Sequence, residues 1–347
     1  MKNTEMKLLI IRTSAMGDVA LLTPVLRSVE MQYPDSEITL VTNPVFFPFF
    51  SSYANLKLFR ADFKSKYPGF TGIIRLFFDL RKSGRFDYVL DLHDVLRSKM
   101  LRLLFILSGV PVITIKKGRK DKREIIAGMR KGRLMHSVER YYDVLARAGL
   151  TLNPVEGPWI RPTPETQEKT AIFISEKDLL HIGVAPFAKH GLKMWPENYM
   201  AALLEMIARR RKARFWLFGA SEELPSLLAL KSRIPGSEVI AGTLSLEEEL
   251  ALISRLSFMI TMDSSNMHMA SLCGTKVVSI WGGTDPVMGF GAWNQPDEYS
   301  IRIPVEELTC RPCTVFGKGK CKRGDLACMN WLTPEKVYEK LISLKMI

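Results

Sequence analysis

The 347-residue sequence predicts an α/β fold of two similar doubly wound domains with a cleft between them. Short apolar runs without polar alternation recur along the chain. Each is followed by a stretch with helical spacing, which is typical of strands buried on both faces of a parallel sheet. The rhythm stops once, in a stretch rich in proline and polar residues, and then resumes. We therefore expect one domain over residues 1–160, a second over 171–347, and a linker at about 151–170.

The first apolar run, residues 8–11, lacks polar alternation and is predicted to be a central strand. Residues 19–30 then show helical spacing. Ligands of open α/β sheets bind at the carboxyl ends of strands, so Gly17 and Asp18 are candidate site residues. Gly17 would permit an unusual backbone angle or a close approach of a ligand. The alternative is that Asp18 only caps the following helix.

The same alternation predicts further strands and helices in the first domain. The predicted strands are residues 37–41, 87–92 and 112–115, and the predicted helices are near 73–82, 95–107 and 136–150. The aromatic segment of residues 44–50 is either part of the core or an apolar wall that faces an acyl chain or a sugar ring.

The second domain repeats the pattern, and its most polar strand end is the stretch 262–270. The predicted strands are residues 181–185, 215–218, 238–240, 258–261 and 277–280. In the stretch 262–270 a helix start offers free N–H groups and the positive end of a dipole, which suit a phosphate. Ser264 and Ser265 add hydroxyl donors, and His268 lies one turn further on the same face. The alternative is that Asp263 and Ser264 merely cap a buried helix.

Two other strand ends of this domain carry charge. Lys189 and Lys193 precede a helix that Pro196 opens, and either lysine has the charge to neutralise the phosphates of a departing nucleotide. Glu223 follows a strand and suits ribose hydroxyls, or else it is a charge of a first helical turn. The sequence has no P-loop, HExxH motif or glycine-rich dinucleotide fingerprint, which argues against a kinase, a metalloprotease or a dehydrogenase.

Composition indicates a globular protein with an anionic partner. Hydrophobic residues make up 47% of the chain and charged residues 24%, and the net charge is +13. Such a balance points to nucleic acid, an acidic membrane surface or a phosphorylated substrate. No apolar stretch is long enough to span a membrane and the chain starts without a signal-peptide pattern, so we expect a cytoplasmic protein.

The densest positive charge lies in residues 116–123, reinforced by three more basic residues up to Arg133. A solvated surface is the usual role of such a run. Here it follows a predicted strand end, which favours contact with an anionic acceptor through Lys116, Arg119 and Lys120. The run lacks the interleaved aromatic residues that stack on single-stranded nucleic acid, so we expect no nucleic-acid partner.

Four cysteines, Cys310, Cys313, Cys321 and Cys328, share a short segment rich in glycine. Four thiolates form a suitable ligand set for tetrahedral zinc, although the second pair is spaced more widely than in the usual knuckle. The alternative is reduced thiols that pack as small hydrophobic groups. Both interpretations stay open here. No metal is assigned to the predicted reaction site, and no cofactor is expected.

Several strings of the sequence resemble the ADP-heptose lipopolysaccharide heptosyltransferases, glycosyltransferase family 9, in the order that this family shows. The strings are Ser14-Ala15-Met16-Gly17-Asp18-Val19 with Thr23-Pro24, Asp91-Leu92-His93 with Leu96-Arg97-Ser98, His136-Ser137-Val138-Glu139-Arg140-Tyr141, Lys193-Met194-Trp195-Pro196, and Asp263-Ser264-Ser265-Asn266-Met267-His268-Met269-Ala270. The resemblance implies a GT-B fold of two facing Rossmann-like domains. It places the acceptor on the first domain and the nucleotide sugar on the second. It also implies an inverting transfer that needs no metal.

The resemblance also assigns roles to individual residues. It implies that Asp18 is the general base, that Lys193 contacts the donor phosphates, and that Asp263, Ser264 and His268 belong to the donor-binding motif. Met16, Gly17 and His93 lie in the strings that match on the acceptor side. The chain departs from the family at Ser265, where glycine is usual, and at Phe187-Ala188, where hydroxyl residues are common.

The expected function is transfer of a heptose, or a related sugar, from an ADP-sugar to an anionic lipopolysaccharide core or lipid A-type acceptor. The basic run would meet the acceptor and the anionic inner face of the cytoplasmic membrane, giving peripheral binding. The alternatives are another GT-B nucleotide-sugar transferase, a nucleotide-sugar epimerase, or a polyanion-binding protein without catalysis.

Overall fold

A computed structural model describes residues 5–176 and 178–347, which form two compact units. Of these residues, those up to Lys117 and Ser137–Arg161 form the first unit, and Gly118–His136 and those from Pro162 onward form the second. The later boundary lies inside the predicted linker. Gly118–His136, expected in the first domain, instead packs with the second unit. The start of the chain, residues 1–4, lies outside the described residues.

The strands and helices alternate along almost the whole chain. The strands are β1 (Lys7–Ile11), β2 (Glu37–Thr42), β3 (Leu56–Arg60), β4 (Tyr88–Asp91), β5 (Val112–Thr114), β6 (Leu180–Ala185), β7 (Ala213–Leu217), β8 (Ser237–Val239), β9 (Phe258–Met262), β10 (Val277–Ile280) and β11 (Ser300–Ile301). The helices are α1 (Met16–Ala20), α2 (Thr23–Gln32), α3 (Gly69–Ser83), α4 (Leu96–Leu107), α5 (Arg119–Ile126), α6 (Ser137–Arg147), α7 (Pro164–Thr170), α8 (Glu197–Arg210), α9 (Leu224–Arg233), α10 (Leu246–Ile253), α11 (Ser265–Leu272), α12 (Ala327–Asn330) and α13 (Pro334–Ser343).

The first unit contains a five-stranded parallel sheet in the order β3-β2-β1-β4-β5. The predicted central position of β1 is confirmed, and its residues Leu8, Leu9 and Ile10 are fully buried. Chain connections run outward on both sides of β1, so the topological switch point lies between β1 and β4. Ligands of doubly wound folds bind at such a point.

The second unit contains a six-stranded parallel sheet in the order β11-β10-β9-β6-β7-β8. Its switch point lies between β6 and β9, which pair directly, with Ala185 opposite Thr261. The loops after β6 and β9 therefore leave the sheet side by side, although some 70 residues separate them in sequence. The two parallel sheets confirm the predicted α/β class.

Several local predictions were wrong for identifiable reasons. The helix expected over residues 19–30 is two helices, because the chain breaks at Leu22 before Pro24 in the first turn of α2. The predicted linker contains the short helix α7, which Thr163 caps by accepting from the N–H of Thr166.

The aromatic segment Pro44–Phe50 forms a 3₁₀ helix. Phe46, Phe49 and Phe50 are buried, and the rings of Phe46 and Phe49 stack with centroids 6.1 Å apart. These three rings therefore contribute to the core. In the described ranges no helix combines the length and the apolar character that crossing a bilayer requires.

Candidate functional site

In the first unit, the loops after β1 and β4 form a polar group around Arg12, Asp18 and His93. Arg12 is a buried residue, only 6% exposed. It donates from Nη1 to the Leu92 carbonyl at 2.6 Å, and its Nη2 pairs with the Asp18 carboxylate. Asp18 is the third residue of α1, whose N-cap is Ala15, so the capping interpretation of Asp18 was wrong. Arg12 instead orients a carboxylate whose side chain is 35% exposed.

The imidazole of His93 is held between two hydroxyls of the β1 loop. Thr13 Oγ1 lies 3.1 Å from Nδ1 and Ser14 Oγ lies 3.2 Å from Nε2. The backbone N–H of His93 donates to Asp91 Oδ1 at 3.0 Å, which fixes the start of the loop after β4. Burial, followed by the positive charges of Arg12 and Lys117, lowers the pKa of His93 to about 3. His93 is therefore a neutral hydrogen-bonding group at physiological pH.

Met16 and Gly17 open α1 beside Asp18. Gly17 is buried within the helix and is absent from the described glycines with positive φ, so of its two predicted uses the unusual backbone angle is not found, and the close approach of a ligand stays a prediction. The Gly17 carbonyl accepts from the Leu21 N–H at 2.9 Å, within the hydrogen-bonding pattern of α1. The short helix α1 thus fixes the position of Asp18 beside the end of β1.

The basic run divides between the two units. Lys116 lies in the first unit, one residue before the boundary at Lys117, and is exposed, whereas Arg119 and Lys120 begin α5 in the second. Gly118, with φ of 59°, turns the chain between them. The Lys120 side chain is 85% exposed. The run is therefore not confined to the first domain, because α5 packs with the second unit, and acceptor binding by Lys116, Arg119 and Lys120 stays a prediction.

Part of the charge of this run is used inside the second unit. Lys122 is buried, with Nζ 4.0 Å from the ring centroid of Phe290. Arg130 donates to Asp121 at 2.8 Å. Ile125 packs in an apolar cluster with Leu134 and Met288, which explains why α5 leaves the first unit.

In the second unit, the loops after β6 and β9 meet in an ion pair. Lys193 Nζ lies 2.7 Å from Asp263 Oδ2, and the side chains are 16% and 8% exposed. Thr284 Oγ1, from the loop after β10, donates to the same carboxylate oxygen at 2.8 Å. Three strand ends therefore converge on Asp263, at the switch point of the sheet.

The start of α11 is left without a side-chain cap. Ser264 is the N-cap residue, but its hydroxyl makes no bond to the helix and lies 3.2 Å from Thr261 Oγ1 instead. Asp263 is engaged by Lys193 and Thr284. The interpretation of Asp263 and Ser264 as caps was therefore wrong, and the first N–H groups of α11 are available to an anion. Ser265 is half-buried in the first turn, and His268 is buried one turn further on.

Lys189 and Lys193 belong to a wider basic group. Burial, and then the charges of Lys193, Lys318 and Lys189, lower the pKa of His190. Lys318 comes from the cysteine-rich segment, and sequence reasoning did not single it out. Lys189 is exposed, so it is reachable by a soluble ligand.

Glu223 lies apart from the Asp263 contacts that the structure describes. Its Oε2 accepts from the Ala220 N–H at 2.8 Å and closes its own turn after β7. This contact matches the first-turn alternative, and a role of Glu223 with ribose stays a prediction.

The loop after β10 and a buried arginine support the site and were missed from the sequence. Arg311 donates from Nε to the Gly282 carbonyl at 2.9 Å and from Nη2 to the Thr284 carbonyl at 3.0 Å. It also pairs with Asp285 at 3.3 Å. The loop thus presents Thr284 to Asp263. The available signal was the polar string Gly282-Gly283-Thr284-Asp285 directly after a predicted strand end.

Comparison with known proteins agrees with this architecture. The model of glycosyltransferase family 9 (heptosyltransferase) matches residues 73–315, more than half of the chain. The chain is 27% identical over 295 residues to the lipopolysaccharide core heptosyltransferase OpsX of Haemophilus influenzae, covering 81% of this chain and 80% of that protein.

Solved structures show the same fold. A glycosyl transferase family 9 structure from Veillonella parvula has a TM-score of 0.76 at 18% identity, covering 99% of this chain and 98% of that chain. Escherichia coli heptosyltransferase WaaC with ADP-2-deoxy-2-fluoro heptose has a TM-score of 0.66 at 19% identity, covering 98% and 100%. These neighbours confirm the predicted GT-B fold class. Because the family model matches more than half of the chain, the chain belongs to glycosyltransferase family 9, the heptosyltransferase family.

Proposed function

We propose that the chain transfers a heptose from ADP-heptose to an anionic lipopolysaccharide core or lipid A-type acceptor, with inversion at the anomeric carbon. The observation that carries this proposal is the Lys193–Asp263 pair beside the uncapped start of α11. The name of the Haemophilus influenzae relative supports the acceptor class, and the heptose analogue in the Escherichia coli structure supports the donor.

The second unit supplies the groups that a nucleotide diphosphate requires. The ammonium group of Lys193 has three N–H donors, so it binds a phosphate oxygen while it keeps Asp263 as a partner. The first N–H groups of α11 and the hydroxyls of Ser264 and Ser265 are further hydrogen-bond donors for the same anion. As the bond from the anomeric carbon to the diphosphate oxygen breaks, negative charge grows on that oxygen. Lys193 and the helix start stabilise this charge, so the proposed step uses no metal.

The first unit supplies the base. The Asp18 carboxylate takes the proton of an acceptor hydroxyl while that oxygen forms a bond to the anomeric carbon, on the face opposite the diphosphate. One carbon–oxygen bond forms while the other breaks on the opposite face, so the configuration inverts. Arg12 holds the carboxylate in place. His93, whose pKa is lowered to about 3, stays neutral and is suited to orient the hydroxyls of the acceptor.

The test combines donor binding and turnover. We expect calorimetry without added metal to show ADP and ADP-heptose binding in preference to UDP and GDP. The substitution Asp18→Asn should lower turnover by about 10²- to 10⁴-fold, since it removes the general base. Donor affinity should stay within about twofold, because Asp18 makes no contact with the donor groups in this scheme.

The matched control is Asp143→Asn, which breaks an Asp–Arg pair in the same unit. Asp143 lies 3.0 Å from Arg147, and both side chains are about one-third exposed. This variant should keep wild-type turnover. Equal turnover in Asp18→Asn, or a preference for UDP, would refute the proposal. Donor binding without any transfer would favour a polyanion-binding protein instead.

We also infer that the first unit makes peripheral contact with an anionic membrane surface in the cytoplasm. Helices α3 and α4 pack on each other and expose large apolar side chains among basic ones. The exposed apolar residues are Phe70, Phe78, Leu96, Leu103, Ile106 and Leu107, and the exposed basic residues are Arg75, Arg81, Lys82, Arg97 and Lys99. The spacing of Leu96, Leu103 and Leu107 places them along one side of α4. Apolar and basic side chains together suit acyl chains and anionic headgroups.

Vesicle sedimentation tests this contact. The variant Leu103→Glu/Leu107→Glu should bind vesicles that contain phosphatidylglycerol at least about tenfold more weakly, since each buried leucine contributes about 1.5–3 kcal/mol. The control is Leu228→Glu, because Leu228 is 51% exposed on the second unit, where no contact is proposed. Equal loss of binding in both variants would contradict the assignment of α4.

A further inference from the structure

The four cysteines of the C-terminal segment surround one cavity. Cys310, Cys313, Cys321 and Cys328 all line a cavity of about 200 Å³. Each has a free thiol, and their exposure ranges from buried for Cys328 to exposed for Cys310. Four cysteines from a stretch of 19 positions thus line the same space. Thiols that served only as small hydrophobic groups would be expected at separate places in the core.

A tight turn follows one of these cysteines. The Gly324 N–H donates to the Cys321 carbonyl at 3.2 Å. Gly324 has φ of 85°, a left-handed conformation that folds the chain back after Cys321. This turn keeps Cys321 beside the cavity that the other three cysteines line.

Positive charge also lies beside the cavity. Arg311, Lys322 and Arg323 line it together with the cysteines. Four thiolates around one divalent ion leave a net charge of about −2. Arg311 is 3% exposed and already pairs with Asp285, and its guanidinium adds positive charge beside this site.

We propose that Cys310, Cys313, Cys321 and Cys328 bind one thiolate-preferring divalent ion, zinc or iron, in a tetrahedral site with a structural role. Across residues 5–176 and 178–347, no group of three or more His, Cys, Asp or Glu side chains is already arranged to hold a metal. The candidate site is empty, and binding draws the four sulfurs inward. Cys313 Sγ, which lies 3.7 Å from the Gly283 carbonyl as a thiol donor, then exchanges this long contact for the metal.

The cysteine-rich segment braces the Lys193–Asp263 pair. The Cys313 N–H donates to the Gly283 carbonyl at 3.0 Å, and Gly283 donates to the Leu192 carbonyl at 2.8 Å. A Cβ on Gly317 would lie 2.6 Å from Cγ of Lys193, so this loop packs directly on the lysine stem. A metal that fixes the segment therefore fixes Lys193.

Metal content tests the site. Chain expressed with both zinc and iron in the medium, and purified anaerobically, should contain about one zinc or iron ion per chain by elemental analysis, and the element found identifies the ion. Cys321→Ser and Cys310→Ser should lose it. Cys273→Ala is the control, since Cys273 is a buried thiol at the end of α11 outside the segment.

A second measurement on the unsubstituted chain keeps the test valid if the serine variants do not fold. Metal-free chain that is reconstituted with cobalt should show the intense visible absorption of tetrahedral cobalt thiolate. A chain that takes up no metal, a Cys321→Ser variant that keeps it, or disulfides among the four cysteines in anaerobically purified chain would overturn the proposal.

Removal of the metal from folded chain should weaken ADP binding by up to about a hundredfold, through displacement of Lys193. This last expectation rests on the proposed function, whereas metal content and the cobalt spectrum do not. A metal-containing chain that binds no ADP would therefore refute the donor site and leave the metal site intact.

Discussion

The ion pair between Lys193 and Asp263 allows the structural and the functional role of one lysine to be separated. Lys193→Met leaves the Asp263 carboxylate, whose side chain is 8% exposed, with the Thr284 hydroxyl as its remaining partner. Removal of one member of a buried ion pair destabilises a protein by about 3–5 kcal/mol, and the bond from Thr284 favours the lower end of this range. Asp263→Asn leaves the ammonium without its partner and should cost a similar amount.

The double variant Lys193→Met/Asp263→Asn has no uncompensated charge. The amide at position 263 still accepts from Thr284, so the loss of stability should fall below the sum of the two single losses by about 2 kcal/mol or more. Donor binding should not recover. Charge-assisted hydrogen bonds to phosphate contribute about 1.5–3 kcal/mol, so both variants that lack Lys193 should bind ADP about ten- to a hundredfold more weakly.

Urea unfolding and calorimetry with ADP measure the two effects. Lys231→Met is the matched control, because Lys231 Nζ also lies 2.7 Å from a carboxylate, that of Glu238, with both side chains about 40% exposed. An exposed pair contributes at most about 1 kcal/mol, and this one is outside the site. If the double variant regains ADP affinity together with stability, Lys193 serves only as a partner of Asp263, and the proposed phosphate contact is wrong.

Two further predictions concern the surroundings of these sites. Gly317→Ala should weaken ADP binding several-fold, because φ is +78° and the new Cβ would lie 2.6 Å from Cγ of Lys193. Gly319→Ala, with φ of +102° and no atom within 4 Å, carries only the backbone cost, and equal affinities in the two variants would contradict the contact. The second prediction concerns His93, whose pKa is lowered to about 3 in the folded chain. At mildly acidic pH its imidazole therefore binds a proton only in the unfolded chain. Its contribution to the free energy of unfolding is complete above about pH 6.5 and is lost as the pH falls toward 3. Between pH 7 and 5 this loss is about 2 kcal/mol, and urea unfolding of His93→Gln at both pH values should show a correspondingly smaller difference than the wild type.

Sequence patterns predicted the buried strands because β1, β4, β6, β9 and β10 are mainly apolar and show no regular polar alternation. The edge strand β3 escaped this criterion, since Lys57 and Arg60 interrupt it and most of its residues are partly exposed. The two-residue strand β11 is too short to produce any pattern.

Three candidate site residues at strand ends were predicted for a similar reason, but their partners were not. Asp18, Lys193 and Asp263 each follow a predicted strand, whereas His93 was implied by the resemblance to the heptosyltransferases. The pairing of Lys193 with Asp263 depends on β6 lying beside β9, which single-strand patterns do not reveal. Arg311 reaches the site only through carbonyls of the loop after β10, and no motif marks such contacts.

Each unit has an ion pair at the switch point of its sheet, but a different member of the pair is the more exposed one. The pairs are Arg12–Asp18 in the first unit and Lys193–Asp263 in the second. In the first, the cation is the buried member, with side-chain exposures of 7% for Arg12 and 35% for Asp18. In the second, the carboxylate is more buried, with 8% for Asp263 and 16% for Lys193. The carboxylate is therefore the more exposed member in the first unit and the ammonium group in the second. The proposed inverting transfer requires a carboxylate to remove the acceptor proton and a cation to stabilise the departing diphosphate, so the difference in burial is consistent with that proposal.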